Sequence, residues 1–327
     1  MSRTLPHPAG WLRRAFRRRH VLTWFAAGAF ALALVWWGSR HSDDGTTEPG
    51  QAEPLADTEI KPRTGVPERI EKSMRRELAV ALGYVGEAPA AERVRQLMGL
   101  RKVLTPDESN ELLRFLLSTG GDAVSSGEGS TLFHEVANQL QRQSVDLRVF
   151  AEVLATVARD DKRPEVYRDY ALQHLRRVWS SSSADGELQG SITATFQEIA
   201  RHPGILQASA LLSLHLIDPR GRIGSGAGEL RDEVGRILSV SGATNGTDSI
   251  RLKMAAARIA GERHMDDQRD ALLRISSAEG EHALVRMSAV SALGRIGDAS
   301  DLQALASLSP ADERVATAIR HATSPKP

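Results

Sequence analysis

An internal repeat restricts the fold of this 327-residue chain more than any other feature. Arg168-x-x-Ala171-x-x-x-Leu175 returns as Arg286, Ala289 and Leu293. Ala210 and Leu214 match it with Gln207 in place of the arginine, and Arg251 with Met254 is a weaker copy. The equivalent positions 171, 210, 254 and 289 lie 39, 44 and 35 residues apart. That is near the period of a two-helix unit, which cannot bury its apolar face alone and must stack on a neighbour. The unequal spacing assigns the variation in length to loops.

The rest of the chain after Pro67 reads as helix, short break, helix. Thr105-Pro106-Asp107-Glu108 has the order of a helix start, with a capping hydroxyl, proline at the first position and glutamate three residues after the cap. Ser309-Pro310-Ala311-Asp312 has the same order. Gly83, Gly120 with Gly121, Gly204, Gly242 and Gly261 are read as stops, where a residue tolerant of positive φ can close a helix. Val285, Ala289, Ala292, Leu293 and Ile296 form one stripe of a helix. With 7 Phe, 3 Tyr and 5 Trp beside abundant Ala, Leu and Arg, the expectation is an all-α chain.

The segment Val285 to Leu308, VRMSAVSALGRIGDASDLQALASL, resembles a HEAT repeat of the short bacterial type found in the bilin-lyase-like group. The likeness is good over 248–308, partial over 146–217 and architectural over 67–142. It implies a right-handed α-solenoid with a long concave surface, generally a scaffold, although some members are bilin-chromophore lyases. It also implies that Arg168, Arg251 and Arg286 form a structural ladder bridging adjacent repeats.

The N-terminal part reads differently. Val21 to Gly38 carries no charge over 18 residues, a helix of about 27 Å that just spans a bilayer. Trp24 at one end, Trp36 and Trp37 at the other, and Arg17, Arg18 and Arg19 on the N-terminal flank suit the two interfaces. Residues 1–20 hold six arginines and no acid, so they are expected to remain cytoplasmic. The predicted order is a basic tail over 1–20, a single-pass signal-anchor over 21–38, a Pro/Gly/acidic tether over 39–66 and a HEAT-like array over 67–327. Cleavage of the run as an export signal is the weaker reading, because VWWGSRH puts tryptophans where small residues are needed.

Charge and cysteine narrow the function. Beyond residue 20 the chain has 36 basic against 41 acidic residues, which argues against nucleic acid as a partner. With no cysteine, disulfides, thiolate metal sites and a cysteine nucleophile are excluded. No motif calls for a cofactor or a metal. The loop DPRGRIGSGAGE, with Arg220 and Arg222, could present backbone N–H groups to an anion, but it lacks both nucleotide fingerprints and reads better as an inter-repeat loop. His264 with Asp266 and Asp267 reads as a turn, and His134-Glu135 lacks the second histidine of a zincin. The four serines from Ser180 read as a solvated connector.

The expected function is a scaffold anchored in the bacterial inner membrane, with its C-terminal domain in the periplasm, binding a protein or another envelope component, and not an enzyme. The alternative is an enzyme or small-ligand-binding solenoid, for example lyase-like, with a concave-face site near Arg258, Arg263 and the loop of Arg220 and Arg222.

Overall fold

In the computed structural model the described residues are 74–86, 88–100, 103–118, 127–143, 146–219, 226–240 and 242–324. The predicted tail, anchor and tether, with Arg17, Arg18, Arg19, Trp24, Trp36 and Trp37, lie outside them, as do Gly120 and Gly121. Among the described residues no helix is long and apolar enough to cross a membrane.

The regular elements of the described residues are fourteen α-helices and a 3₁₀ turn at Asp266–Gln268, with no strand. The helices come in seven pairs: α1 (Arg76–Leu82) with α2 (Ala90–Met98), α3 (Pro106–Ser118) with α4 (Gly127–Arg142), α5 (Leu147–Arg159) with α6 (Glu165–Ser181), α7 (Gly186–Arg201) with α8 (Gln207–Ile217), α9 (Gly226–Ser239) with α10 (Thr247–Glu262), α11 (Arg269–Ser277) with α12 (Ala283–Ile296), and α13 (Ala299–Ser307) with α14 (Glu313–Thr323). Each first helix packs on its own second helix and on the first helix of the next pair, and each second helix packs on the next second helix. Two parallel rows result, with one continuous apolar core between them. The repeated positions 171, 210, 254 and 289 fall in α6, α8, α10 and α12, four successive second helices.

The repeat arginines do not bridge adjacent repeats as expected. Arg168 Nε donates to the Ala158 carbonyl at 3.1 Å and Arg286 Nε to the Ser276 carbonyl at 3.0 Å, each closing the C-terminal turn of the first helix in its own pair. Gln207 Nε2 does the same for Ala200 at 2.8 Å, and Arg93 Nε for Ala81 at 2.8 Å. Helix C-termini leave carbonyls without partners and carry partial negative charge, so a donor or cation is favoured there. In α10 the equivalent donor is Lys253, whose Nζ reaches the Gly242 carbonyl at 3.3 Å, with Ala256 and Ala260 following at the repeat positions. Arg251 is two residues out of that register. Its Nη1 meets Glu165 Oε1 of α6 at 3.0 Å, passing over α8 altogether.

One series of links between repeats comes instead from arginines in or just before the N-terminal halves of the first helices. Arg75 makes a forked contact with Glu108 at 2.7 and 2.9 Å. Arg148 reaches Asp185 and Glu187, both at 3.0 Å, Arg231 reaches Asp267, and Arg269 reaches Asp298 at 2.5 Å. The acids sit at or just before the N-terminal turns of the next pair, where the helix dipole favours them.

The local start and stop signals coincide with helix ends at some positions and not at others. The Thr105 start is as expected, with Glu108 N–H donating to Thr105 Oγ1 and Thr105 N–H to Glu108 Oε2. Ser309-Pro310 does not start a helix: α14 begins at Glu313, capped by Asp312. Ser180 and Ser181 belong to α6, their hydroxyls donating to carbonyls four residues back, so the connector after it is only 182–185. Gly83 does close α1 with φ of 77°. Gly261 is no stop. It lies inside α10, and a Cβ there would meet Ala292 Cα at 2.8 Å, so its role is the close approach of α10 to α12. The residue that ends α10 in the left-handed conformation is His264, φ 52°, with Met265 N–H donating to the Ala260 carbonyl.

Gly261→Leu is therefore expected to cost about 1–3 kcal/mol through overpacking. In contrast, Gly190→Ala, on the open side of α7 with nothing within 4 Å, should add up to about 1 kcal/mol from helix propensity. Urea titration of both variants checks this, and a neutral Gly261→Leu would contradict the assigned contact.

Candidate functional site

Burial along the second helices leaves one outward face. α8, QASALLSLHLI, is apolar almost all round and buried except at Ser209, Leu212 and Leu216, the last 45% exposed. On α10 the outward positions are Arg251, Met254 and Arg258, and on α12 they are Met287, Ser291 and Arg295. An apolar centre with guanidinium groups at its edge is the outcome.

The edge is organised by Glu262, the last residue of α10. Its Oε1 accepts from Arg258 Nε at 3.0 Å and meets Arg295 Nη1 at 3.3 Å, while its Oε2 meets His215 Nε2 at 2.6 Å. On the other side of the imidazole, Arg263 Nε donates to His215 Nδ1 at 3.3 Å, and the same guanidinium donates to the Asp218 carbonyl at the end of α8. A guanidinium only donates, so His215 Nδ1 must be the acceptor and the proton sits on Nε2, pointing at the carboxylate. Burial, with the charges of Arg263 and Arg258, pushes the His215 pKa down against the opposing pull of Glu262. Burial alone would raise Glu262, but the hydrogen bond from His215 and the Arg258 guanidinium hold it below its ordinary value. The cluster is a neutral imidazole, three guanidiniums and the Glu262 carboxylate, with the Asp218 carboxylate acting on Arg263, a local surplus of one positive charge. Both ring nitrogens of His215 are engaged, so it holds α8 to α10 and has no lone pair to offer a reaction.

Two of the residues singled out in the sequence meet here. Arg258 stays exposed at the edge, while Arg263 is half-buried as a brace between α8 and α10. Arg220 and Arg222 lie outside the described residues. Sequence reasoning missed His215, Glu262 and Arg295. Only Glu262 had a local signal, four residues after Arg258 on one helix.

Two further polar centres lie in the array. His174 of α6 is fully buried, its Nε2 3.2 Å from His134 Nδ1 of α4, and its Nδ1 has no hydrogen-bond partner. Burial, with His134 and Arg177 adding to it, pushes its pKa down to about 3. Placing the proton on Nε2 leaves an unsatisfied acceptor, which costs less than an unsatisfied N–H. Between α10 and the loop before α12, Lys253 and Glu281 form a buried pair at 2.8 Å beside a cavity of about 120 Å³ lined also by Arg274, Ile275 and Gly280. Glu281 accepts in addition from Thr244 N at 3.1 Å, Thr244 Oγ1 at 2.9 Å and His282 N at 2.9 Å. Among the described residues no three His, Asp or Glu side chains converge as a metal site.

A family model for HEAT repeats matches residues 242–323, the stretch from the loop before α10 to the end of α14. This part of the chain is a HEAT-repeat array. Among solved structures the chain is similar to human deoxyhypusine hydroxylase in complex with glycerol, at 15% identity over 78% of this chain and 94% of that one, with a TM-score of 0.27. No curated protein matches the chain. The HEAT repeats contribute Arg258, Glu262, Arg263 and Arg295 to the edge cluster, and the pair before them contributes His215 and the leucines.

Proposed function

We propose that this chain is a scaffold that binds another protein through the outward face of its second helices, in the right-handed solenoid that the HEAT resemblance implies. The observation that carries the reading is the continuous second-helix row with Leu212, Leu216, Met254 and Met287 at its surface, since aliphatic and thioether side chains ringed by arginine are the composition of a protein interface. In this reading catalysis and nucleic acid play no part. The run over 21–38 anchors the scaffold in the inner membrane, and the array works in the periplasm.

Photo-crosslinking tests the binding. A photo-reactive residue placed at Gln173, Leu216 or Ser291 on the second-helix row is expected to give discrete protein adducts in cells, and one at Gln303 on the first-helix row is not. Adducts equally frequent from both rows, or none, would sink the scaffold reading. Because the chain has no cysteine, a single cysteine at the exposed position Glu279 reports the topology. It should react with a membrane-impermeant maleimide on intact spheroplasts, and protection there would overturn the periplasmic placement.

A further inference from the structure

From the edge cluster and the leucines beside it, we infer that the face formed by α8, α10 and α12 takes an acidic amphipathic segment of a partner protein, with apolar side chains on Leu212 and Leu216 and carboxylates at Arg258 and Arg295. This rests on the scaffold reading and specifies its partner.

Three observations carry it. The first is charge. Arg258 and Arg295 share one carboxylate oxygen of Glu262 at 3.0 and 3.3 Å, so two cations compete for one acceptor and each keeps N–H groups directed elsewhere. Side-chain exposures of 50% and 47% leave those donors open to solvent. His215 adds no charge to the cluster, because its fixed tautomer is neutral. The surplus of one positive charge lies at the exposed Arg258 and Arg295, on an array whose residues 74–327 hold 31 basic and 33 acidic residues, so it is a local feature on a nearly neutral body.

The second observation is apolar surface at the same end of the row. Leu216 is the penultimate residue of α8, Glu262 the last of α10 and Arg295 the penultimate of α12. Leu216 and Leu212 are one helical turn apart on the outward side of α8, the spacing at which one face of a partner helix sets successive anchors. The third observation is that the alternative occupant, an anionic bilayer, fits less well. Membrane attraction through basic residues typically takes clusters of about 4–8 Lys/Arg near the surface, more than the two exposed arginines of this edge supply. A short acidic segment needs only the local surplus. Guanidinium groups already oriented by Glu262 receive carboxylates with little further ordering.

The test uses the full chain in cells, with the photo-reactive residue at Leu216. The adduct is expected to fall about tenfold or more when Arg258→Glu and Arg295→Glu are combined, since like charges then face the partner, and to stay within about twofold when both are changed to lysine, which keeps the charge. Circular dichroism of the purified variants confirms that the array stays folded, and Leu216→Ser with the probe moved to Leu212 repeats the test without touching the charges. Mass-spectrometric mapping of the crosslinked peptide should return a segment rich in Asp and Glu with apolar residues three or four apart. A basic or neutral segment, a phospholipid adduct, or an adduct indifferent to charge reversal would overturn the inference. Adducts from Gln173 or Ser291 without one from Leu216 would also overturn it while leaving the scaffold reading in place.

Discussion

Replacing Glu281 by alanine is expected to lower the stability of the array by about 3–5 kcal/mol, the usual consequence of leaving a buried charge without its partner. Lys253 and Glu281 have side-chain exposures of only 8% and 4% at a separation of 2.8 Å. Burial alone would raise the Glu281 pKa, but hydrogen bonds from Lys253, Thr244 and His282 hold it below its ordinary value. With the carboxylate gone, the ammonium keeps only the Gly242 carbonyl at 3.3 Å, and two backbone N–H groups lose their acceptor. For a domain of this size the loss corresponds to a fall in melting temperature of about 10 °C, at roughly 2–4 °C per kcal/mol. Combining Lys253→Met with Glu281→Gln removes the charge and keeps an acceptor for Thr244 and His282, so most of the stability should return. Thermal melts followed at 222 nm decide the matter. A fall of less than about 3 °C for the single variant would mean that water reaches Lys253 and the pair is not buried in solution.

The second large effect is on acid stability. The His174 imidazole is pushed down to about 3 in the fold, while an unfolded chain leaves it near 6.5. Below pH 6.5 the unfolded state takes up a proton that the folded state refuses, so stability falls with pH from about 6.5 toward 3 and is flat above that window. At pH 4.5 the loss from this one residue is about 2–3 kcal/mol, at roughly 1.36 kcal/mol per pH unit. His174→Leu removes the titration and the orphaned Nδ1 together. Its stability, measured by denaturant titration at pH 7.5 and 4.5, should change less between the two than that of the parent chain by about that amount. Equal pH dependence in both would show that His174 takes up its proton in the fold as readily as in the unfolded chain. His134, whose pKa burial also lowers, loses its His174 partner in this variant, so the same pair of titrations on a His134→Gln background isolates the His174 share.

The repeat was legible because its positions are defined by packing: alanine and leucine recur wherever a second helix must meet its neighbours on both sides. What the sequence obscured was chemistry shared by different residues. Lysine at 253 does in α10 what arginine does at 168 and 286, and Ala260 stands in place of the repeat's leucine, so the arginine pattern matches Arg251 two residues away. Gly261 and His264 illustrate the converse. Glycine is used both to end helices and to let them touch, and only the neighbour Ala292 distinguishes the two uses. The edge cluster was half legible, through Arg258 and Arg263. His215 and Glu262 are 47 residues apart, and His134 and His174 are 40 apart, roughly one repeat in each case. Contacts at that separation exist only once the pairs have stacked, and no local pattern announces them.

The contact of Arg251 with Glu165 bears on how the array responds to force. Stacked repeats are commonly treated as a chain of independent links, each sensing only its neighbours. Here two links that are not neighbours are clasped over the one between them. The row cannot flatten at α8 without releasing that clasp. Since both side chains are about 40% exposed, its strength is at most about 1 kcal/mol, so the release is within reach of an ordinary binding event. The array thus carries a light clasp near its middle, weak enough for a partner bound there to open it.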